Sequence, residues 1–412
     1  MQASTELSRQ AAIARDLSDP LRALRERFSL PPDVIYLDGN SLGALPIATL
    51  ARLDTTVRTQ WGGDLISSWS THNWLTLPQR VGAKIAALLG AAADEVVVAD
   101  STSINIFKLL SGALTLPRIR DDAARAVLLC ERNTFPTDSY IAAGLCAMQG
   151  GRITLRYVEA DHMPDAFDET VAVALLSHVD YRSGALRDMR ALNRAAAHAG
   201  TRIVWDLSHS AGALPIALND AGAELAVGCG YKYFNGGPGA PAYAYVARHL
   251  HADFVSPLPG WFGHAAPFDF SADYTPARGA ERLLCGTPSI IAAIALDEGL
   301  NTFAGVDMAA VRAKSLSLGA LFLALMHTEC ADFGFTCVTP APRGSHLTFS
   351  HTHAHAIMQA LVKRGVVGDF RPPDLLRFGL TPLYTRYVDV WDAVALLRDV
   401  MQRATWKTDA AP

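Results

Sequence analysis

The strongest chemical signal lies in residues 201–241, TRIVWDLSHSAGALPIALNDAGAELAVGCGYKYFNGGPGAP, which place an acid, Asp206, and a lysine, Lys232, at the ends of two neighbouring apolar runs. RIVWD reads as a buried strand that ends on the acid. LAVG reads as the next strand, with the lysine just past it. Two such groups can meet across a flat heterocycle. Pyridoxal phosphate requires that pair: an amine to hold its aldehyde, and a carboxylate to keep the pyridine nitrogen protonated so that the ring draws in electrons. Taken singly, Asp206 is explained as a turn cap and Lys232 as a solvated loop residue. Taken together, with glycines 236, 237 and 239 directly after the lysine, they favour the cofactor, because glycine lets backbone and ligand approach closely.

A phosphate needs hydrogen-bond donors, best supplied by the first turn of a helix. Ser101, Thr102 and Ser103 follow one apolar strand and open a helical stretch, so their hydroxyls either cap that helix or face an anion. Phe135, in the run Phe-Pro-Thr-Asp that ends on Asp138, follows another strand. It either stacks on a ring or belongs to the core.

The elements that would position these groups follow a β-α-β rhythm. Apolar runs at 95–99, 126–130, 153–157, 171–177, 202–206, 225–228 and 242–246 are continuous, not alternating. Strands of that kind are buried on both faces of a largely parallel, helix-flanked sheet, whose ligands bind at the carboxyl ends of the strands. Helical spacing covers 8–28, 186–199, 290–304 and 309–326, and a strand–helix–strand unit runs from His346 through 357–363 to 376–379. The expected architecture is α/β. It has a large cofactor domain at 51–290, a smaller α+β domain at 291–412, and an N-terminal segment at 1–50 packing on the small domain.

These motifs together resemble the kynureninases, within the fold type I, aspartate-aminotransferase-like group of pyridoxal-phosphate enzymes. The matching segments are LDGNSLG (37–43), TSIN (102–105), FPTD (135–138), WDLSH (205–209), GYKY (230–233), GWFGH (260–264), GTPS (286–289) and RFGLTPLY (377–384). They span most of the chain in the family's order, and GWFGH and LDGNSLG are not general features of pyridoxal-phosphate enzymes. The resemblance implies hydrolysis of L-kynurenine to anthranilate and L-alanine in tryptophan catabolism, a route that can also feed NAD biosynthesis. It implies that Lys232 holds the cofactor and that Asp206 meets the pyridine nitrogen, with His209 close by. Thr102, Ser103 and Tyr231 would bind the phosphate, joined by Trp261 and Thr287 of a second subunit, so that the active site forms at a homodimer interface. Phe135 would stack on the ring, Asp138 and Ser177 would make polar contacts, and Tyr231 would act as the acid at Cβ. Arg377 would clamp the substrate's α-carboxylate, with Asn40 and Ser41 in the substrate site. Thr287 stands where family members that favour 3-hydroxykynurenine tend to have asparagine, which implies that plain kynurenine is the better substrate.

Composition excludes other classes. Half of the 412 residues are hydrophobic, 18% are charged and the net charge is −4. That is no electrostatic surface for nucleic acid. The six cysteines lack C-x-x-C spacing, which suits a reduced, cytoplasmic protein. The first ten residues lack the apolar core of a secretory signal, and the apolar run at 316–326 is short for a membrane span. His346, His351, His353 and His355 cluster in sequence, but no acid or thiol nearby completes a metal site, so none is expected. Trp69 and Trp74, with His72 and Asn73 on a loop-like stretch, either line the aromatic pocket or pack in the core. Residues 371–374, Arg-Pro-Pro-Asp, read as a turn leading into the Arg377 strand.

Rival readings are a cysteine desulfurase or class V aminotransferase of the same group, and a non-catalytic pyridoxal-phosphate binding protein. A desulfurase needs a mobile reactive thiol, for which Cys330 and Cys337 are the candidates. A nicotinamide oxidoreductase is excluded, since no G-x-G-x-x-G follows the first strand of the sheet.

Overall fold

A computed structural model describes residues 7–407. Seven strands, β1 (Val96–Val98), β2 (Val127–Glu131), β3 (Thr154–Val158), β4 (Val171–Ser177), β5 (Arg202–Asp206), β6 (Leu225–Gly228) and β7 (Tyr243–Val246), form one sheet in the order β1-β7-β6-β5-β4-β2-β3. β2 to β6 pair in parallel, and β7 runs antiparallel to β6 and β1. All seven expected strands are present.

The reason the apolar runs are continuous is visible in the packing. Val97, Leu128, Val173, Leu175, Val204 and Val227 enter one hydrophobic cluster. The residues between them, including Val96, Leu129, Ala174, Leu176, Ile203 and Ala226, enter another. Each face of the sheet is therefore a core, and fully burying one such Val or Leu is worth about 1.5–3 kcal/mol. An aspartate in place of Val173 would put an unpaired charge between the two layers.

Helices cover both faces. They include α1 (Leu77–Leu89), α2 (Thr102–Thr115), α3 (Pro136–Met148), α4 (Met189–Ala199) and α5 (Ile290–Asn301). A second, antiparallel sheet of β8 (Thr336–Cys337), β9 (His346–Ser350), β10 (Asp369–Arg371) and β11 (Leu375–Gly379) runs in the order β8-β9-β11-β10. It shares a third apolar cluster with helices α6 (Met308–Glu329), α7 (Ala354–Lys363) and α8 (Tyr387–Gln402), which also takes in Ala12 and Leu37 of the N-terminal segment. Asp16 accepts hydrogen bonds from the first amides of α8, Tyr387 N at 2.6 Å and Val388 N at 3.0 Å, and Lys314 pairs with Asp19 at 2.7 Å.

Three local expectations are corrected. The helical spacing over 8–28 is broken: a helix at Arg9–Ser18 stops, and a 3-10 turn at Arg22–Arg27 follows. Pro20 disfavours a helical conformation at the residue before it, and Asp19 is extended, at φ −68° and ψ 118°. The apolar run at 316–326 is the middle of a longer element, because α6 has 22 residues and is long and apolar enough to cross a membrane by length and composition. Arg312 and Lys314 interrupt the run in sequence, whereas the helix continues through them. It buries Leu318, Leu321, Phe322 and Leu325 in the third cluster. Residues 69–74, read as loop-like, overlap a short helix, Ser68–Thr71.

Candidate active site

The carboxyl ends of the strands converge. Ser177 ends β4 and pairs in register with Asp206, the end of β5, which itself pairs with Val227 on β6. The loops beyond them enclose a cavity of about 370 Å³. Thr102, Ser103, Phe135, Asp138, Ser177, Asp206, His209, Tyr231 and Lys232 all line it.

Local structure decides what each presents. Asp100 adopts a left-handed conformation, φ 44°, which turns the chain from β1 into α2. Ser101 is the cap, its Oγ accepting from Ile104 N at 3.4 Å. Ser101 thus caps the helix while lining the cavity beside Thr102 and Ser103, together with the first amides of the helix, which have no intrahelical partner. That end of the cavity suits a phosphate.

Lys232 lines the same cavity, its Nζ 2.9 Å from His209 Nε2 and 5.9 Å from the ring centres of Phe135 and Tyr231. Its turn is fixed by Asn235 N donating to Lys232 O at 2.9 Å. The LDGNSLG loop braces it from outside, with Gly43 N donating to Tyr231 O at 2.8 Å. A Cβ on Gly43 would stand 2.3 Å from Lys232 O, so only glycine fits there.

Asp206 Oδ1 accepts from Ser208 N at 2.8 Å and Ser208 Oγ at 2.6 Å, which aims the carboxylate. Asp138 is buried, and burial together with the neighbouring Asp206 charge drives its carboxyl well above the usual range. Thr134 Oγ1 donates to it at 3.3 Å and lies 3.1 Å from Ser177 Oγ. Burial, reinforced by the Lys232 charge, pulls His209 well below its ordinary value, so its imidazole is neutral. Burial, then Cys229, raises the Tyr231 phenol.

Two observations test the fit to pyridoxal phosphate. His209 Nδ1 is buried without a hydrogen-bond partner, so a polar ligand atom there would satisfy it. The donor set also matches the group end for end: helix amides and hydroxyls for a phosphate, an aromatic face at Phe135, a carboxylate at Asp206 and an amine at Lys232. The residues fit.

The other expected site residues lie elsewhere in the single chain. Trp261 is exposed among Phe262, Phe268 and Phe270. Thr287 lines an adjacent cleft that shares Asp100 and Gly239 with the main cavity. Arg377 is buried on β11 outside the lining, bonded to Ser41 Oγ at 2.9 Å. Asn40 is buried beside Gly379. Trp69 and Trp74 line a different cleft, with Trp61, Leu65 and Ile66.

Of the four clustered histidines, only His351 and His353 stay together, with ring centres 5.8 Å apart. His351 packs on Phe335, His353 stacks on Trp406 at 4.4 Å and His355 meets Phe370. Among the described residues no group of three or more His, Cys, Asp or Glu is placed to hold a metal. His346 instead packs edge-on to His209, with ring centres 5.5 Å apart.

The sequence reading missed the lining residues Asp100, Tyr181, Ser208 and Cys229. Asp100, Ser208 and Cys229 each sit within two residues of a strand's carboxyl end, so the strand-end rule could have flagged them. Tyr181 had no such signal. Its ring meets Phe135 edge-on at 5.2 Å. The thiols considered for desulfuration are not at the site: Cys330 is buried and pushed up to about 12 by burial, and Cys337 is exposed on β8.

Comparison with known proteins agrees with this geometry. Residues 311–397 match the family model "Kynureninase C-terminal domain". A kynureninase of Burkholderia mallei (strain SAVP1) is 48% identical over 405 residues, 97% of either chain. One of Pseudomonas fluorescens is 47% identical over 403 residues, again 97% of either. Among solved structures, a cysteine desulfurase from Thermococcus onnurineus NA1 superposes with a TM-score of 0.76 at 17% identity, covering 92% of this chain and 98% of that one. C-DES with glycine covalently linked to its PLP cofactor gives 0.78 at 16% identity, with coverage of 91% and 99%. At such identities these two establish the shared fold alone.

Proposed function

The chain belongs to the kynureninase family, and on that footing we propose how its own residues hydrolyse L-kynurenine to anthranilate and L-alanine with pyridoxal 5'-phosphate. The observation that carries the assignment is the Lys232 amine, 2.9 Å from a buried neutral histidine, sharing one cavity with a helix N-terminus.

Thr102, Ser103 and the α2 amides would hold the phosphate, Phe135 would cover the ring and Asp206 would serve the pyridine nitrogen, with His209, Asp138 and Ser177 as further polar partners. When bound, the cofactor draws electrons from the substrate's α and β carbons. Lys232 would be its covalent attachment point and, as a free amine, the base that takes the substrate's α-proton. His209, uncharged, accepts a hydrogen bond from the ammonium form of Lys232 and so steadies it as proton carrier. Tyr231 keeps its phenolic proton at neutral pH, because burial raises it, and it is the donor to Cβ. In the overall reaction water adds across the Cβ–Cγ bond. The carbonyl carbon leaves as the carboxylate of anthranilate, and Cβ becomes the methyl of alanine. Arg377, with Asn40 and Ser41, holds the α-carboxylate.

The reading extends to the assembly. Trp261 and Thr287 lie off the chain's own cavity, which supports their serving the partner's site in a homodimer. Exposed Trp61, Leu65 and Ile66 form an apolar patch of the kind that marks protein interfaces. Thr287 supports plain kynurenine as the better substrate and 3-hydroxykynurenine as the poorer. The division at 1–50, 51–290 and 291–412 and a cytoplasmic location belong to the same proposal.

The test is to incubate purified holoenzyme with L-kynurenine. Anthranilate fluorescence should rise in step with L-alanine, one for one. Kynurenine loss without anthranilate, or release of sulfide from cysteine as the main activity, would overturn it.

A further inference from the structure

Arg377 is 1% exposed and does not line the Lys232 cavity. Its Nη1 donates to Tyr181 O at 2.6 Å and its Nη2 to Ser41 Oγ at 2.9 Å, and Nη2 also forms an ion pair with Asp369. Nε is buried without a partner. A carboxylate held bidentately takes two adjacent N–H groups of the guanidinium, and both forks of an arginine include Nη2. A substrate carboxylate therefore reaches a full clamp only where Asp369 or Ser41 lets go.

Asp369 has somewhere to go. The same oxygen that meets Arg377, Oδ2, lies 2.9 Å from Nε of Arg371, a side chain 35% exposed on the same strand. Ser41 Oγ donates to that oxygen at 3.4 Å. Asp38 stands close by, and burial and the Asp369 charge push it up to about 6. Two acids already face two guanidiniums. A third carboxylate entering this buried cluster needs one of the two to yield.

We propose that Asp369 is an exchangeable stand-in for the substrate carboxylate on Arg377, and that Arg371 is the counter-ion that keeps Asp369 once it is displaced. The arrangement rests on the reading of Arg377 as the carboxylate clamp and adds selectivity to it. A buried guanidinium is never left without an anion, and a ligand without a carboxylate cannot take Asp369's place.

The test uses holoenzyme titrated with L-alanine and, as the matched probe lacking the carboxylate, L-alaninamide, followed by the change in the visible absorbance band. Comparing the two ligands on one variant cancels general losses of folding. Asp369→Asn should tighten alanine binding about fivefold or more and leave alaninamide unchanged, since the competitor is gone. Arg371→Gln should weaken alanine about fivefold or more, because Asp369 then stays locked on Arg377. The double variant should return to the affinity of Asp369→Asn. Weaker alanine binding in Asp369→Asn, or a double variant as weak as Arg371→Gln, would overturn the proposal by making Asp369 a fixed support. Arg377→Gln reports separately on the clamp: if it still prefers alanine to alaninamide, the underlying reading fails instead.

Discussion

Lys232 Nζ and His209 Nε2 are 2.9 Å apart, and the histidine that makes this contact is buried and uncharged. With Nε2 unprotonated, a neutral imidazole accepts from an ammonium and equally from an amine N–H, so one contact serves the lysine before and after it takes a proton. His346 backs that imidazole edge-on and is likewise held neutral by burial, with Arg377 adding to the effect.

His209→Phe removes the contact and should lower turnover about 10- to 100-fold. His209→Gln, which still has polar atoms to offer, should retain more. The check is kcat together with a pH titration of the visible absorbance band, whose midpoint should move in Phe and return towards the original in Gln.

Asp206 and Asp138 are both buried acids at one cavity, yet they should respond differently. Asp206→Asn takes away the charge assigned to the pyridine nitrogen and should cost about 10²-fold or more in kcat. Asp138 already holds its proton more firmly than an ordinary carboxyl, so its asparagine variant should stay within about tenfold. Steady-state kinetics with kynurenine separates the two.

Asp38 predicts a pH dependence of stability. Its carboxyl is raised from 3.8 to about 6, first by burial and then by Asp369. Between these values the folded chain keeps a proton that the unfolded chain has lost, so stability falls as pH rises through the window, by about 3 kcal/mol in all. The groups facing it are Ser41, Asp369, Arg371 and Arg377. Asp38→Asn should flatten that slope in urea melts at pH 4 to 6.5. An unchanged slope would show that the acid does not titrate there.

Thr287→Asn offers a side chain that can bond the extra hydroxyl of 3-hydroxykynurenine. The ratio of kcat/KM for the hydroxylated over the plain substrate should rise about tenfold, the worth of one such hydrogen bond. No change in the ratio would remove this position from specificity.

Ile66 is 81% exposed in the single chain. Ile66→Asp should weaken self-association, read as a shift from dimer to monomer in sedimentation velocity. Loss of cofactor phosphate binding should accompany it, because Trp261 and Thr287 are assigned to the neighbour's site.

The large sheet was legible because burial on both faces leaves continuous apolar runs such as VAVALLS at 171–177, and each run became a strand. Much of the cavity wall was legible because its residues sit at or just beyond the carboxyl ends of strands, where such sheets bind their ligands. His346 was not, since nothing in sequence relates a residue on β9 to His209 after β5; only the packing of the two sheets brings them together. The Arg377 cluster was half legible. The arginine and Ser41 fall in motifs, but Asp369 acts through a cross-strand pairing of β10 with β11, directly opposite Arg377. The break after Ser18 turns on one proline inside a helical pattern.

The most direct measurement of the central claim is reduction of the holoenzyme with borohydride, followed by proteolysis and mass mapping of the pyridoxyl label. The label should fall on Lys232 and vanish, together with the visible absorbance band, in Lys232→Ala. A label on another lysine, or a Lys232→Ala protein that still carries it, would contradict the account.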